Sequence, residues 1–419
     1  MNKNTEKYWN EKWWVSPINY DEELIKKFNL PKRVYVRDST IREGEETPSV
    51  YYTLDEKIKI VEKLEEIGIE HIDVGYIGAV QDQWDLANQI KELGIKIKTY
   101  SHLSSNITRW QEEIKKSLEA NLDYIGFGII LTKWLLGLFS GDEKVTPEVF
   151  ISLIPSTLKK IKRLGGEAIL DCVDATRTEI PLLKRAIEIG VKHGVKMVML
   201  YDTVGACNIP AISYMIKQLK PILKEVPLGI HIHDDFGLGT ASTIAAVEQG
   251  AIYMDLVVNK LGDRAGNTSL EEVVVALEML YGVNTGIDLS KLYELSKYIE
   301  KVSGVPLPYN KPVVGRNTFI HESELHVMGA LEKDKYWMCF TPYKPEIVGQ
   351  EESVIFGPTT LHGDAVKIKC EQMGIHNYEE YIDEIMEKIH NLISQNKFIK
   401  EQELEELIQE IINTRKNVE

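Results

Sequence analysis

The sequence predicts a (β/α)8 TIM barrel of the α/β class, followed by a mainly helical C-terminal region. Three observations carry that expectation. Short apolar runs can be read at 33–38, 71–76, 95–100, 123–130, 167–173, 196–201, 227–232 and 252–258, and an amphipathic helical pattern follows each one, as at 54–67 and 181–192. Gly68, Gly94, Asn121, Gly165, Gly194 and Gly250 stand just before a run, where a helix should stop. Polar motifs follow the first, seventh and eighth runs, and loops after the strands of a parallel barrel are where sites are built. Eight strand–helix units in succession imply a parallel sheet closed on itself. An open, doubly wound sheet is the alternative, because strand count alone does not prove closure.

Length and composition leave room for this architecture. The chain has 419 residues, and a barrel alone uses roughly 250. Residues 1–30 read as an N-terminal arm whose Trp9, Trp13, Trp14 and Tyr20 should dock on the body or on a second subunit. Residues 31–282 read as the barrel and 283–419 as helical subdomains, with a helix over 289–302 and two acidic helices over 377–395 and 401–415. Apolar content of 43% supports a large core, and a net charge of −15 argues against nucleic acid as a partner. Cys172, Cys207, Cys339 and Cys370 show no paired spacing, as expected of a reduced, cytoplasmic protein. The start has no apolar core of a signal peptide, and no apolar run is long enough to span a bilayer.

The first motif, Asp38-Ser39-Thr40-Ile41-Arg42-Glu43-Gly44-Glu45, places an acid at a strand end and an Arg–Glu pair just beyond it. Arg42 beside a metal would polarise a bound carbonyl and hold the oxyanion that develops on it. Glu43 could orient Arg42, bind a metal-bound water, or act as an acid or base. In the second motif, His231-Ile232-His233, two imidazoles leave the same face of a strand. With Asp38 they make three ligands for one divalent ion and leave positions open for substrate oxygens, the pattern of a catalytic centre. Nitrogen and oxygen donors suit Mg²⁺, Mn²⁺, Fe²⁺, Co²⁺ or Zn²⁺.

The third motif runs from Asn259 to Asn267 after the eighth strand. Gly262 and Gly266 allow close backbone approach there, and with Arg264 they make a candidate phosphate loop. Asn267 either completes the metal shell or caps the helix beginning near Ser269. The fourth motif, His321-Glu322-Ser323-Glu324-Leu325-His326, lies outside the barrel. Its histidines, five apart on a helix, do not share a face, so they are not a chelate, and one of them could serve as a base reaching a neighbouring active site.

These motifs, in this order and over about 30–370, resemble the family of isopropylmalate, homocitrate and Re-type citrate synthases, and more distantly hydroxymethylglutaryl-CoA lyase. The resemblance implies a barrel with a helical, domain-swapped C-terminal region in a homodimer. It also implies an acyltransferase that condenses acetyl-CoA with a 2-oxo acid by Claisen chemistry and hydrolyses the thioester. Asp38, His231 and His233 then correspond to metal ligands, with Asn267 a further one. Arg42 corresponds to the keto-polarising arginine, Glu43 to its acidic neighbour and Thr203 to a substrate-touching threonine. His326 corresponds to a catalytic histidine given by the partner subunit, and the loop of Gly262, Arg264 and Gly266 to the CoA side.

Departures from the family pattern cluster where the acceptor is recognised. The fifth strand reads Asp171-Cys172-Val173-Asp174, with Val173 where a glutamate is expected and Asp171 as a candidate substrate contact. Glu324 replaces a glycine before Leu325-His326. His102 and Lys133, after the third and fourth strands, are cationic candidates for a second carboxylate. They favour a dicarboxylic acceptor such as oxaloacetate or 2-oxoglutarate over an isopropylmalate- or citramalate-type substrate. A hydroxyacyl-CoA lyase and a catalytically inactive regulatory barrel are the competing readings.

Overall fold

The computed structural model describes residues 5–140, 146–359, 362–395 and 399–416. The chain divides into two compact units, Pro17–Pro306 and Met1–Ser16 with Leu307–Glu419.

The first unit is a closed barrel of eight parallel strands in sequence order. They are β1 (Tyr35–Asp38), β2 (His71–Asp73), β3 (Lys98–His102), β4 (Tyr124–Ile130), β5 (Ala168–Val173), β6 (Met197–Asp202), β7 (Leu228–Ile232) and β8 (Tyr253–Leu256). Each falls within or across an expected apolar run. Closure comes from β8 pairing with β1, with Arg37 level with Asp255 and Asp38 level with Leu256.

The helices between strands follow ordinary local rules. Leu54–Glu66 starts with a capping box in which Thr53 and Glu56 satisfy each other's backbone amides. It buries Ile60, Val61 and Leu64 on one face. The stops at Gly68, Gly94, Asn121, Gly165, Gly194 and Gly250 all have positive φ, as left-handed helix ends require. Gly126, in β4, meets a different demand. A Cβ there would overlap the Tyr100 hydroxyl and the Asp171 carboxylate, so a glycine makes room for that pair inside the barrel. The lower barrel is filled by Tyr35, His71, Tyr124 and Tyr253, whose rings lie 5.2–6.4 Å apart in stacked, tilted and edge-on pairs.

The barrel unit is larger than 31–282. Tyr20 donates to the Met279 carbonyl at 2.8 Å, and Asn29 N donates to Glu248 O at 2.6 Å, which fixes residues after Pro17 to this unit. The helix Leu292–Ser303 joins it too, burying Leu292, Leu295 and Ile299, with Asn259 donating to Ser296 O at 2.8 Å.

In the second unit the tryptophan-bearing stretch lies along 342–344. Trp14 N donates to Pro342 O and Lys344 N to Lys12 O, each at 2.9 Å. A three-stranded sheet of β9 (Ile320–His321), β10 (Ser353–Phe356) and β11 (Ile399–Lys400) accompanies the helices of this unit. These include Glu324–Leu331, Asp364–Gln372, Ile382–Ser394 and Glu401–Lys416. They close over Phe356, Val366, Cys370, Ile385, Ile389, Leu404 and Ile408. No helix among the described residues is long and apolar enough to cross a membrane.

Candidate active site

At the C-terminal mouth of the barrel, Glu43, His231 and His233 bring one donor atom each within 4.8 Å of one another. Glu43 Oε1 lies 3.4 Å from His231 Nε2, and Glu43 Oε2 lies 3.9 Å from His233 Nε2. All three side chains are buried. The histidines come from the end of β7 and the residue beyond it, with the two-residue spacing that puts both on one face. Glu43 sits on the short helix Thr40–Gly44 that follows β1.

Asp38, the expected third ligand, is not in this cluster. Arg37 reaches the barrel interior, where it meets Tyr201 and Asp255, so the next residue on the strand faces outward. Thr40 takes both Asp38 oxygens, from its amide and its hydroxyl, each at 2.9 Å. Burial pushes the Asp38 carboxyl up to about 8, against the opposing effect of those two hydrogen bonds. A carboxylate from the following helix therefore replaces the strand-end aspartate.

The donor set fits a divalent cation. His233 Nδ1 and Asn267 Oδ1 are buried without a hydrogen-bond partner, and Asn267 Nδ2 donates to Glu43 Oε2 at 3.0 Å. Asn267 does not cap the helix Leu270–Tyr281, whose N-cap is Ser269. Burial favours Glu43 in its neutral form, yet Arg42, His231 and His233 together outweigh it and hold the carboxyl below its usual range. Burial, with neighbouring His231, lowers His233 to about 4, so it is a neutral nitrogen donor at pH 7.

Arg42 borders the same cavity. Its Nε donates to Asp73 Oδ2 at 2.9 Å, its Nη1 contacts Glu43 and Glu46, and its Nη2 is buried without a partner. His102 is wedged between two carboxylates, with Nε2 2.9 Å from Asp73 and Nδ1 3.3 Å from Asp171. Burial opposes its charge, but Asp73 and Asp171 prevail and raise its pKa. Asp171 also receives the Tyr100 hydroxyl and lies 3.4 Å from the Tyr201 hydroxyl. Thr203 lines the cavity, its hydroxyl accepting from Asp174 N at 3.0 Å.

The cavity measures about 330 Å³. Its charged or titratable lining includes Arg42, Glu43, Glu46, His102, Asp171, His231 and His233, and its apolar lining is Leu103, Ile130, Phe150 and Val173. Lys133 is not part of it. That residue opens the helix Lys133–Ser140, is exposed, and rests its ammonium 5.6 Å from the Trp134 ring. A lysine has little reason to enter a pocket that offers it no free anion.

The loop after β8 is tightly wound, with positive φ at Asn259, Lys260, Gly262, Arg264 and Gly266. Gly262, Gly266 and Arg264 are already engaged. Gly262 N donates to Thr47 Oγ1 at 2.7 Å and Gly266 N to Asp263 O at 2.9 Å. Arg264 pairs with Asp235 and Asp263 and reaches Thr203 O.

His326 belongs to the second unit, exposed on the helix Glu324–Leu331. Its ring stacks on Phe340 at 4.1 Å and meets His321 edge-on at 5.7 Å. Glu324 accepts from His362 N and Asp364 N at 2.8 and 2.9 Å, so it closes the start of the helix Asp364–Gln372.

Sequence reasoning missed Asp73, Tyr201 and Asp255. Asp73 ends β2 as His102 ends β3, a strand-end signal that was available. Asp255 lies within β8, where nothing local distinguishes it.

Residues 33–299 match the HMGL-like family and residues 313–397 match the homocitrate synthase post-HMGL domain-like family. The chain is 32% identical over 397 residues to homocitrate synthase AksA of Methanopyrus kandleri, covering 94% of this chain and 97% of that one. It is 33% identical over 410 residues to 2-isopropylmalate synthase of Methanocaldococcus jannaschii, covering 94% and 75%. Among solved structures, hydroxymethylglutaryl-CoA lyase from Pseudomonas aeruginosa superimposes with a TM-score of 0.56 at 18% identity, covering 66% and 95%.

Proposed function

Because the chain belongs to the HMGL-like family and carries the homocitrate synthase type of domain after it, we propose that it is an acyltransferase condensing acetyl-CoA with a 2-oxo acid. Hydrolysis of the thioester then gives a 2-hydroxy acid with a second carboxylate, plus CoA. The supporting observation is one cavity in which Glu43, His231 and His233 cluster beside the unpartnered Nη2 of Arg42.

Glu43, His231 and His233, with Asn267 beside them, would hold a divalent ion, which would supply Lewis acidity for a carbonyl. The chain's own residues do the rest. Asp73, Glu43 and Glu46 fix the Arg42 guanidinium, and its spare N–H is directed to the oxygen on which negative charge grows as the keto carbon is attacked. His102 is held in place between Asp73 and Asp171. His326, carried by the second unit, is our choice for the base that takes a methyl proton from the thioester. We propose that a second chain contributes it in a homodimer, and that the enzyme works in the cytoplasm.

The lyase reading rests on fold likeness alone. The inactive-barrel reading draws nothing from Glu324, whose departure from the family's glycine has a structural task.

The acceptor calls for a second reading. Lys133, one of two residues favouring a dicarboxylate, is at the surface, and His102 already faces two carboxylates. Leu103, Ile130, Phe150 and Val173 instead give the cavity apolar lining, which favours an acceptor with a small aliphatic side chain. CoA release with pyruvate, 2-oxoisovalerate, oxaloacetate, 2-oxoglutarate and glyoxylate separates the cases. Preference for pyruvate or 2-oxoisovalerate supports the apolar reading. A dicarboxylate as the strongest substrate rejects it.

A further inference from the structure

We propose that Asp255, itself held by Arg37 and Ser39, is a positioning residue that fixes the tautomer and aim of His231. This rests on the reading of Glu43, His231 and His233 as a cation site. In the barrel wall β8 lies between β7 and β1, with Asp255 level with His231 on one side and Arg37 on the other. Side chains at one level of adjacent parallel strands share a face, so all three enter the barrel interior together.

The contacts follow from that placement. His231 Nδ1 lies 2.7 Å from Asp255 Oδ2. Arg37 Nη2 donates to that same oxygen and, at 2.8 Å, to the Tyr201 hydroxyl, while Ser39 donates to Asp255 Oδ1. The Arg37 guanidinium lies over the Tyr100 ring at 4.1 Å, and the Tyr201 ring lies 4.6 Å from that of His231.

A carboxylate can only accept, so Nδ1 of His231 must carry the proton, and Nε2 is left bare toward Glu43, 3.4 Å away. Asp255 is 2% exposed, and an isolated carboxylate at that depth would be expensive. Arg37 and Ser39 remove the expense, so the carboxylate stays ionised without drawing the proton off His231. Loss of such an outer partner typically weakens metal affinity roughly 10–100-fold.

The tautomer can be read on the parent protein. In a metal-free ¹⁵N-histidine sample, with His231 assigned by its loss in His231→Gln, the proton is expected on Nδ1. A proton on Nε2 overturns the proposal, and this reading needs no variant at position 255. For affinity, Asp255→Ala alone strands a buried guanidinium, so the pair is replaced as Asp255→Ala with Arg37→Leu. Free Mn²⁺ measured by electron paramagnetic resonance should show affinity falling roughly 10–100-fold while the melting transition stays cooperative. A folded double variant that binds Mn²⁺ as tightly as the parent also overturns it. A parent that binds no Mn²⁺ sinks the cation-site reading instead, and the His231 tautomer still decides the positioning claim.

Discussion

Glu43 Oε1 stands 3.4 Å from His231 Nε2, joining the helix after β1 to the end of β7. The centre is thus built from a helix residue and a strand pair, and Asp38, at the strand end, supports it from outside.

Substituting the two acids separates their tasks. Glu43→Ala should lose Mn²⁺ binding by at least roughly 10-fold together with activity, because a direct ligand is gone. Asp38→Asn should keep its metal, with Thr40 still in hydrogen-bonding reach. Metal content after gel filtration checks both, and the reverse pattern would restore Asp38 as the ligand.

The pH dependence of stability should carry a signature of Asp38. Its folded-state pKa is raised to about 8, above the unfolded value of roughly 3.9. The folded state therefore binds the extra proton, and stability falls as pH rises between those values, the loss being complete above about 8. Urea midpoints from pH 5 to 9 should fall less steeply in Asp38→Asn than in the parent. Parallel curves would show that Asp38 does not titrate in this range.

Arg42→Ala should lower kcat by roughly 100- to 1,000-fold, the usual cost of removing an oxyanion donor. It should leave the metal bound, since the Glu43 and histidine donors remain. Steady-state kinetics with metal analysis checks this; unchanged kcat would remove Arg42 from the chemistry.

Gly126→Ala should destabilise the barrel by about 1–3 kcal/mol, the common cost of overpacking. The new methyl would displace the Tyr100–Asp171 pair. Thermal melts compare it with Gly94→Ala, where a Cβ meets nothing within 4 Å and only the positive φ resists it.

Much of the barrel was legible because the strands fall within or across short apolar runs and six of the helices stop at a Gly or Asn that tolerates positive φ. The same two-residue periodicity identified His231 and His233 as partners. Applied to β1, it would have turned Asp38 outward once Arg37 was known to face inward, but Arg37 reads locally as a surface charge. Lys133 was overvalued because its loop position was visible and its side-chain direction was not. Asp255 gave no signal, since its meaning depends on the levels of β7 and β1. β9 and β11, two residues each, are too short to show any alternation.

The most direct measurement of the central claim is CoA release from acetyl-CoA, in the presence of a 2-oxo acid, by metal-stripped protein before and after Mn²⁺ is restored. Parallel samples carry Glu43→Ala. The expected result is acceptor-dependent release that returns with Mn²⁺ in the parent and does not return in the variant. Release that ignores the 2-oxo acid, or that Glu43→Ala supports as well as the parent, would contradict a condensation centred on Glu43, His231 and His233.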